Sequence, residues 1–192
     1  MLILASQSPR RRDLLSMLGL DFTVITADID ETMDGNLSVE DAVAAVCRKK
    51  AEAVAKDHPS DTIIAADTIV VVDDRVLGKP RDAEDAKAML RILSGRSHTV
   101  MTAFCIWQKG ETVTHVEKTN LRFKPLSDGE IAAYVATGSP MDKAGSYGIQ
   151  DQAAIFVEAL EGDYYNVMGL PVCSLVKTLR KNGMEVLGST EV

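Results

Sequence analysis

Aromatic residues are scarce in this sequence, with one Trp, four Tyr and four Phe, and they nowhere alternate with Lys or Arg. Acidic residues number 28 against 21 basic ones, a net charge of −7. A nucleic-acid interface needs a basic face with stacking platforms, and an anionic membrane surface needs a polybasic patch, so neither partner is expected. Cysteine is equally sparse. Cys47, Cys105 and Cys173 lie far apart, without CxxC or Cys/His spacing, which argues against a zinc site. All three sit in apolar stretches and read as buried free thiols of a reducing compartment. His58, His98 and His115 do not cluster. No apolar run approaches the ~18 residues of a membrane span. Met1 to Ala5 is too short for a secretory core and has no basic segment before it, so a cytoplasmic location is expected. Repeats, low-complexity tracts and Pro/Ser/Gly linkers are missing as well. The 192 residues, 46% hydrophobic, are therefore read as a single domain over 1–192 with a sizeable core.

What is present centres on Thr62-Ile63-Ile64-Ala65-Ala66-Asp67-Thr68-Ile69-Val70-Val71-Val72. A β-branched run without alternation reads as one strand, or two consecutive strands, covered on both faces. Asp67 stands in its middle. A carboxylate there must be paired, metal-bound or desolvated, because an isolated buried charge is very costly. It is either a turn residue between two short strands or a functional acid, and the run alone leaves both open.

Before this run, Leu2 to Ala5 reads as a short buried strand. Ser8 then caps a helix with Pro9 at its first position, Leu14, Leu15 and Leu18 on its apolar face, and Gly19 at its end. Arg10, Arg11 and Arg12 crowd the positive end of that helix dipole. Cations there oppose the dipole and ask for an anion, so strand, turn and helix suit a phosphate better than a solvated basic turn. A second strand is expected at Phe22 to Thr26, then a loop with Asp28, Asp30 and Glu31, acids that solvate or hold a hard cation. Ser38 caps a helix over Val39 to Lys56 with Val43, Val46, Cys47, Ala51 and Val54 inward. Lys49 and Lys50 read as solvent-facing, although one could turn inward. After the central run, Asp73-Asp74-Arg75 turns into Val76-Leu77-Gly78-Lys79-Pro80, which presents Lys79 from a rigid loop. Asp82 caps a helix over Ala83 to Leu93. Ser97–Gln108 and Thr112–Lys124 read as a hairpin turning at Lys109-Gly110. Ser127 and Glu130 form a capping box. Gly138 to Gln150 is read as a glycine-bearing loop, Ile155 to Val157 as a strand, Gly162 to Asn166 as a loop, and a last helix follows Pro171.

Six motifs occur in one order: Ala5-Ser6-Gln7-Ser8-Pro9-Arg10-Arg11, Ala66-Asp67-Thr68, Leu77-Gly78-Lys79-Pro80, Leu93-Ser94-Gly95-Arg96-Ser97-His98, Gly145-Ser146-Tyr147-Gly148-Ile149-Gln150 and Asn166-Val167-Met168-Gly169-Leu170-Pro171. None is decisive alone. In register they resemble the Maf family of nucleoside triphosphate pyrophosphatases, from about residue 2 to about residue 180. The resemblance implies an α/β fold like that of the inosine triphosphate pyrophosphatases, with a mixed twisted central sheet, flanking helices and two lobes around a cleft. It further implies a homodimer and a divalent cation, Mg²⁺ or Mn²⁺. The implied reaction is hydrolysis between the α- and β-phosphates, releasing the monophosphate and pyrophosphate, as house-cleaning of nucleotide pools that extends to modified pyrimidine nucleotides. Arg10, Thr68 and Gln150 match the branch acting on dTTP and UTP, where the branch acting on 7-methyl-GTP has Trp, Gln and Glu. Gln7 and Ala153-Ala154 depart from the family pattern, where glycines are common.

By this resemblance, Asp67 is the general base or a metal ligand that generates hydroxide, and Glu31 is a second carboxylate on the cation. Arg11 and the helix start after Ser8 cradle the triphosphate. Lys50 and Lys79 contact phosphate, and Ser6 adds a hydroxyl. Arg10, Thr68 and Gln150 read the base; a Gln amide both donates and accepts, which suits the edge of uracil or thymine. His98 is expected to be packed rather than catalytic. The alternatives are a 7-methyl-GTP pyrophosphatase and a non-enzymatic nucleotide-sensing module linked to septum formation, which would bind triphosphate without releasing pyrophosphate.

Overall fold

The apolar run at 62–72 forms one eleven-residue strand in a computed structural model that describes residues 1–192. In chain order the elements are β1 (Leu2–Leu4), α1 (Pro9–Met17), β2 (Thr23–Val24), α2 (Val39–Ala55), β3 (Thr62–Val72), β4 (Arg75–Leu77), α3 (Ala83–Leu93), β5 (Ser97–Gln108), β6 (Glu111–Phe123), α4 (Asp128–Ala136), β7 (Val157–Glu161), α5 (Tyr164–Met168) and α6 (Val172–Lys181). Short 3₁₀ turns occupy Ser139–Asp142, Ala144–Ser146 and Gln152–Phe156. The strands form one mixed sheet in the order β2-β1-β3-β5-β6-β7, with β4 added on β3. β1 runs parallel to both β2 and β3. Parallel neighbours cannot be joined by a tight turn, and α1 and α2 supply the crossovers. β4 on β3 and β7 on β6 are antiparallel, which makes the sheet mixed, as the resemblance implies. No helix is long and apolar enough to cross a membrane.

Local chemistry sets many of the boundaries. The Ser38 hydroxyl accepts from the Asp41 N–H, and the Asp82 carboxylate from the Asp85 N–H. Ser127 and Glu130 satisfy each other reciprocally at the start of α4. Such caps contribute about 1 kcal/mol each. Asp73 and Asp74 both take positive φ, +47° and +59°, the backbone that a two-residue hairpin turn requires.

The chain divides into two compact units. The first comprises Met1–Asp67, Thr102–Glu117 and Gly169–Val192. Its core includes Ile3, Leu15, Val43, Ile64, Phe104 and Leu175, all fully buried or nearly so. The second comprises Thr68–Met101 and Lys118–Met168. It is built on Leu90, Leu93, Phe123, Ile131, Tyr147 and Phe156. His98 lies in this second core, 2.7 Å from the Tyr147 hydroxyl and edge-on to Phe123. Burial pulls its pKa down to about 4, so it is neutral at pH 7. It is a packed histidine, as expected.

Four expectations need correction. The strand expected at Ile155 to Val157 begins only at Val157: Asp151 accepts from the Ala153 N–H and winds the preceding residues into a 3₁₀ turn that leaves Ile155 exposed. The loop expected at Gly162 to Asn166 is helical from Tyr164, because Asp163 Oδ1 accepts from the Tyr165 N–H and starts a turn that its aromatic and β-branched residues conceal in sequence. The second strand is only Thr23–Val24 and is exposed. Cys47 and Cys105 are buried free thiols, but Cys173 is exposed, because it lies on the outer face of α6 while Leu175 and Leu179 turn inward.

Candidate functional site

Asp67 lies inside β3, not at a turn between strands, which removes the turn reading. Its side chain is mostly covered, with 18% exposed, and Oδ1 accepts from Lys50 Nζ at 2.7 Å. Lys50 belongs to the last third of α2, where helical spacing alone leaves it facing solvent. Instead its ammonium turns inward and also meets Glu31 Oε2 at 2.8 Å. Lys49, the neighbouring candidate, faces an open groove with Ile29, Asp30, Glu52 and Lys56. Two carboxylates from different elements, one on β3 and one on the loop after β2, thus converge on a single positive charge.

Arg11 stands close to this group. Its Nε donates to the Gly169 carbonyl at 2.8 Å, and its Nη1 to the Ser6 hydroxyl at 3.0 Å. Burial lowers the guanidinium below its ordinary value, and the Asp67 carboxylate is the strongest influence holding it up. Even so, an arginine remains charged at any ordinary pH. Asp67 is thus a nearby negative charge for Arg11, one of the three cations in the basic first turn of α1. Ser8 caps α1 by position, with extended backbone, but its side chain makes no capping hydrogen bond. The Ser6 hydroxyl accepts from the Ser8 N–H at 3.3 Å as well as from Arg11. A hydroxyl has two lone pairs and one proton, so the Ser6 proton is the part left to donate.

Ser6, Arg11, Glu31, Lys50 and Asp67 therefore gather within the first unit. Cys47, one turn before Lys50 on α2, lies beneath them with its thiol 3.5 Å from the Ala103 carbonyl. Burial pushes that thiol well up, helped by Cys105 and Asp67, so it is inert at neutral pH. Arg10 is half-buried and adds a like charge beside Arg11. No group of three or more His, Cys, Asp and Glu side chains is arranged to hold a metal ion by itself. Glu31 and Asp67 offer two hard oxygen donors around one point of positive charge.

The remaining site candidates belong to the second unit. Thr68, next along β3, is half-buried. Lys79 is exposed on the loop after β4. That loop is pinned where the Gly78 carbonyl accepts from the Gly145 N–H at 3.0 Å, so it is tied to the segment leading to Gln150. Gly145 is required there, because its φ is +68° and a Cβ would stand 2.8 Å from Val70 Cγ2. Gln150 is exposed at the end of the segment.

Two features escaped the sequence. The Gly169 carbonyl orients Arg11, and the only signal was a motif around Gly169 with no assigned role; its φ of +113° is one that glycine alone adopts easily. The second is a polar network around Asp151, Tyr134, Ser139 and Lys143. Nothing in the spacing of those residues announces it.

The family model described as Maf-like protein matches residues 1–182. A protein of Bacillus cytotoxicus named dTTP/UTP pyrophosphatase is 48% identical over 179 residues, 93% of this chain and 94% of the relative. A protein of the same name from Bacillus mycoides is 45% identical over 185 residues, 96% and 97% of the two chains. One from a Geobacillus species is 48% identical over 182 residues, 95% and 98% of the two. Among solved structures, the Staphylococcus aureus Ham1 protein matches with a TM-score of 0.45 and 18% identity over 64% of this chain and 71% of its own, too distant a likeness to bear on the fold.

Proposed function

This chain belongs to the Maf-like protein family, and from that premise we propose that it is a nucleoside triphosphate pyrophosphatase that hydrolyses dTTP and UTP to the monophosphate and pyrophosphate. Relatives of that name at 45–48% identity over almost the whole chain support the reading. The observation that carries it is the Lys50 ammonium bridging Glu31 and Asp67 beside Arg11. Hydrolysis of a triphosphate demands positive charge for the phosphate oxygens and a carboxylate to activate water. Both are gathered there, and a module that only binds nucleotide has no need of the carboxylates.

In this reading Asp67 takes the proton of the attacking water or holds the cation that acidifies it. Glu31 is the second carboxylate on that cation. Mg²⁺ is typically held by one or two carboxylates with substrate phosphates and water completing its shell, and the Glu31–Asp67 pair fits that requirement. When bound, the ion, Mg²⁺ or Mn²⁺, neutralises phosphate charge and lowers the pKa of a coordinated water. Lys50, whose ammonium lies between the two carboxylates, would donate to phosphate oxygens. Arg11 and the start of α1 receive phosphate oxygens, and Ser6 donates its proton to one of them. Lys79 contributes a further phosphate contact. Arg10, Thr68 and Gln150 read the base and set the preference for pyrimidines, including modified ones. The same reading implies a single domain over 1–192, a homodimer and a cytoplasmic location. The exposed free Cys173 suits a reducing compartment, and the net charge of −7 suits a small-molecule substrate better than nucleic acid or membrane.

The test is pyrophosphate release from dTTP, UTP, CTP, GTP and 7-methyl-GTP with Mn²⁺, and again with chelator. Metal-dependent release from dTTP and UTP is expected. Release mainly from 7-methyl-GTP would overturn the base preference, and binding without release would overturn the reaction.

A further inference from the structure

Gln150 is an exposed residue on a four-residue turn, and a residue so placed is ordinarily free to swing. Here both feet of the turn are held. The Asp151 N–H donates to the Gly148 carbonyl at 3.2 Å, closing Gly148-Ile149-Gln150-Asp151. At the first foot, the Gly148 N–H donates to the Tyr134 hydroxyl at 3.1 Å. At the second, the same Tyr134 hydroxyl donates to Asp151 Oδ2 at 3.0 Å. One phenol oxygen thus ties the two ends of the turn together. Tyr134 is itself fixed, being 3% exposed and edge-on to Phe156 in the core of the second unit.

Asp151 is saturated on its other sides. Oδ2 also accepts from the Ser139 hydroxyl at 2.6 Å, and Oδ1 from the Ala153 N–H at 2.9 Å. Lys143 Nζ lies 3.8 Å from Oδ2 and donates to the Ser139 carbonyl at 2.5 Å and to Asp142 Oδ1 at 2.7 Å. There is no slack: a Cβ at Gly148 would stand 2.7 Å from Asp151 Oδ2 and 2.7 Å from Lys143 Cε. A carboxylate bound by three donors and a nearby ammonium holds its place more firmly than any single neutral hydrogen bond allows.

We propose that the Tyr134–Asp151 clamp is a positioning device that fixes Gln150 and so sets discrimination between uracil and cytosine bases. The inference rests on the reading of Gln150 as a base-reading residue. A Gln amide presents a donor and an acceptor at its two ends, and rotating it exchanges them. On a loose turn Gln150 would adapt to either base edge. On a clamped one its backbone is held in place, which limits the side-chain torsions that reach the base and so favours one orientation of the amide.

The experiment measures kcat and KM for UTP and CTP in wild type, Asp151→Asn, Tyr134→Phe, Gln150→Ala and the Gln150→Ala/Asp151→Asn double variant, with melting curves for each. Asp151→Asn is expected to lower the UTP:CTP ratio of kcat/KM by about tenfold, the equivalent of one hydrogen bond, mainly through the KM for UTP. Tyr134→Phe, which removes only the hydroxyl, shifts the ratio the same way by about threefold and serves alone if Asp151→Asn does not fold. The double variant is no less selective than Gln150→Ala, because residues acting through one another are non-additive. An unchanged ratio in a folded clamp variant, or losses that add in the double variant, overturns the proposal while leaving the reading of Gln150 intact. If Gln150→Ala itself leaves the ratio unchanged, the reading of Gln150 fails and the clamp's role in selectivity falls with it.

Discussion

Replacing Asp67 with Asn changes one atom and removes one charge, and the structure sets the size of both consequences. The Asp67–Lys50 contact is a charge-assisted bond of 2.7 Å between side chains 18% and 14% exposed. Hydrogen bonds to charged groups are worth about 1.5–3 kcal/mol. Asn keeps an acceptor oxygen for Lys50, and Lys50 keeps Glu31, so the expected loss is about 1–2 kcal/mol. For a chain of this length each kcal/mol lowers Tm by about 2–4 °C, so melting should fall by about 2–8 °C and remain cooperative. Turnover should respond very differently. A positioned acid–base group contributes about 10²–10⁴-fold, and an amide can neither take a proton nor hold a cation with a full charge. Melting by circular dichroism and pyrophosphate release from dTTP at saturating Mn²⁺ read the two effects separately. A folded Asp67→Asn protein that turns over dTTP within threefold of wild type would refute the role assigned to this carboxylate. A protein that fails to fold would show instead that Asp67 is chiefly a structural counter-charge.

Further predictions follow from single contacts. His98 has its pKa depressed from 6.5 to about 4 by burial, so between those values the unfolded chain binds the proton that the folded one refuses. Stability should therefore fall as pH drops from 6.5 to 4, by up to about 3 kcal/mol, and His98→Gln should flatten that limb in urea titrations across the range. Gly145→Ala introduces a side chain at positive φ against Val70, and should cost about 2–4 kcal/mol, read as a lower urea midpoint. Cys173 is the exposed thiol of the three, so the native protein should react with about one equivalent of a thiol reagent promptly and with about three when unfolded; three prompt equivalents would contradict the burial of Cys47 and Cys105.

The elements legible in the sequence are those written in local chemistry. Ser38, Asp82 and Ser127 announce their helices because a cap acts within three residues. Asp73-Asp74 and Lys109-Gly110 announce hairpins for the same reason, and the β-branched run at 62–72 can hardly be anything but a strand. Asp67 was legible because a carboxylate in such a run needs a partner. Its partner was not, because helical spacing turns Lys50 outward and only the arrival of Glu31 and Asp67 from other elements draws it in. The 3₁₀ turn at 152–156 is hidden in the sequence because the Asp151 side chain overrides the strand-like look of Ile155-Phe156-Val157. The Tyr134–Asp151 clamp and the Arg11–Gly169 contact were invisible for one reason: each depends on where distant segments meet.

That last contact also orders events in time. Arg11 and Gly169 are 158 residues apart. At elongation rates of roughly 5–20 residues per second, the acceptor that orients Arg11 is made about 8–30 s after the arginine itself. A nascent chain halted before Gly169 already carries Ser6, Arg11, Glu31, Lys50 and Asp67, yet lacks the carbonyl that aims its guanidinium. The Ser6–Arg11–Glu31–Lys50–Asp67 group is thus completed late, by a carbonyl made long after its charged side chains, rather than assembled step by step as each residue is added.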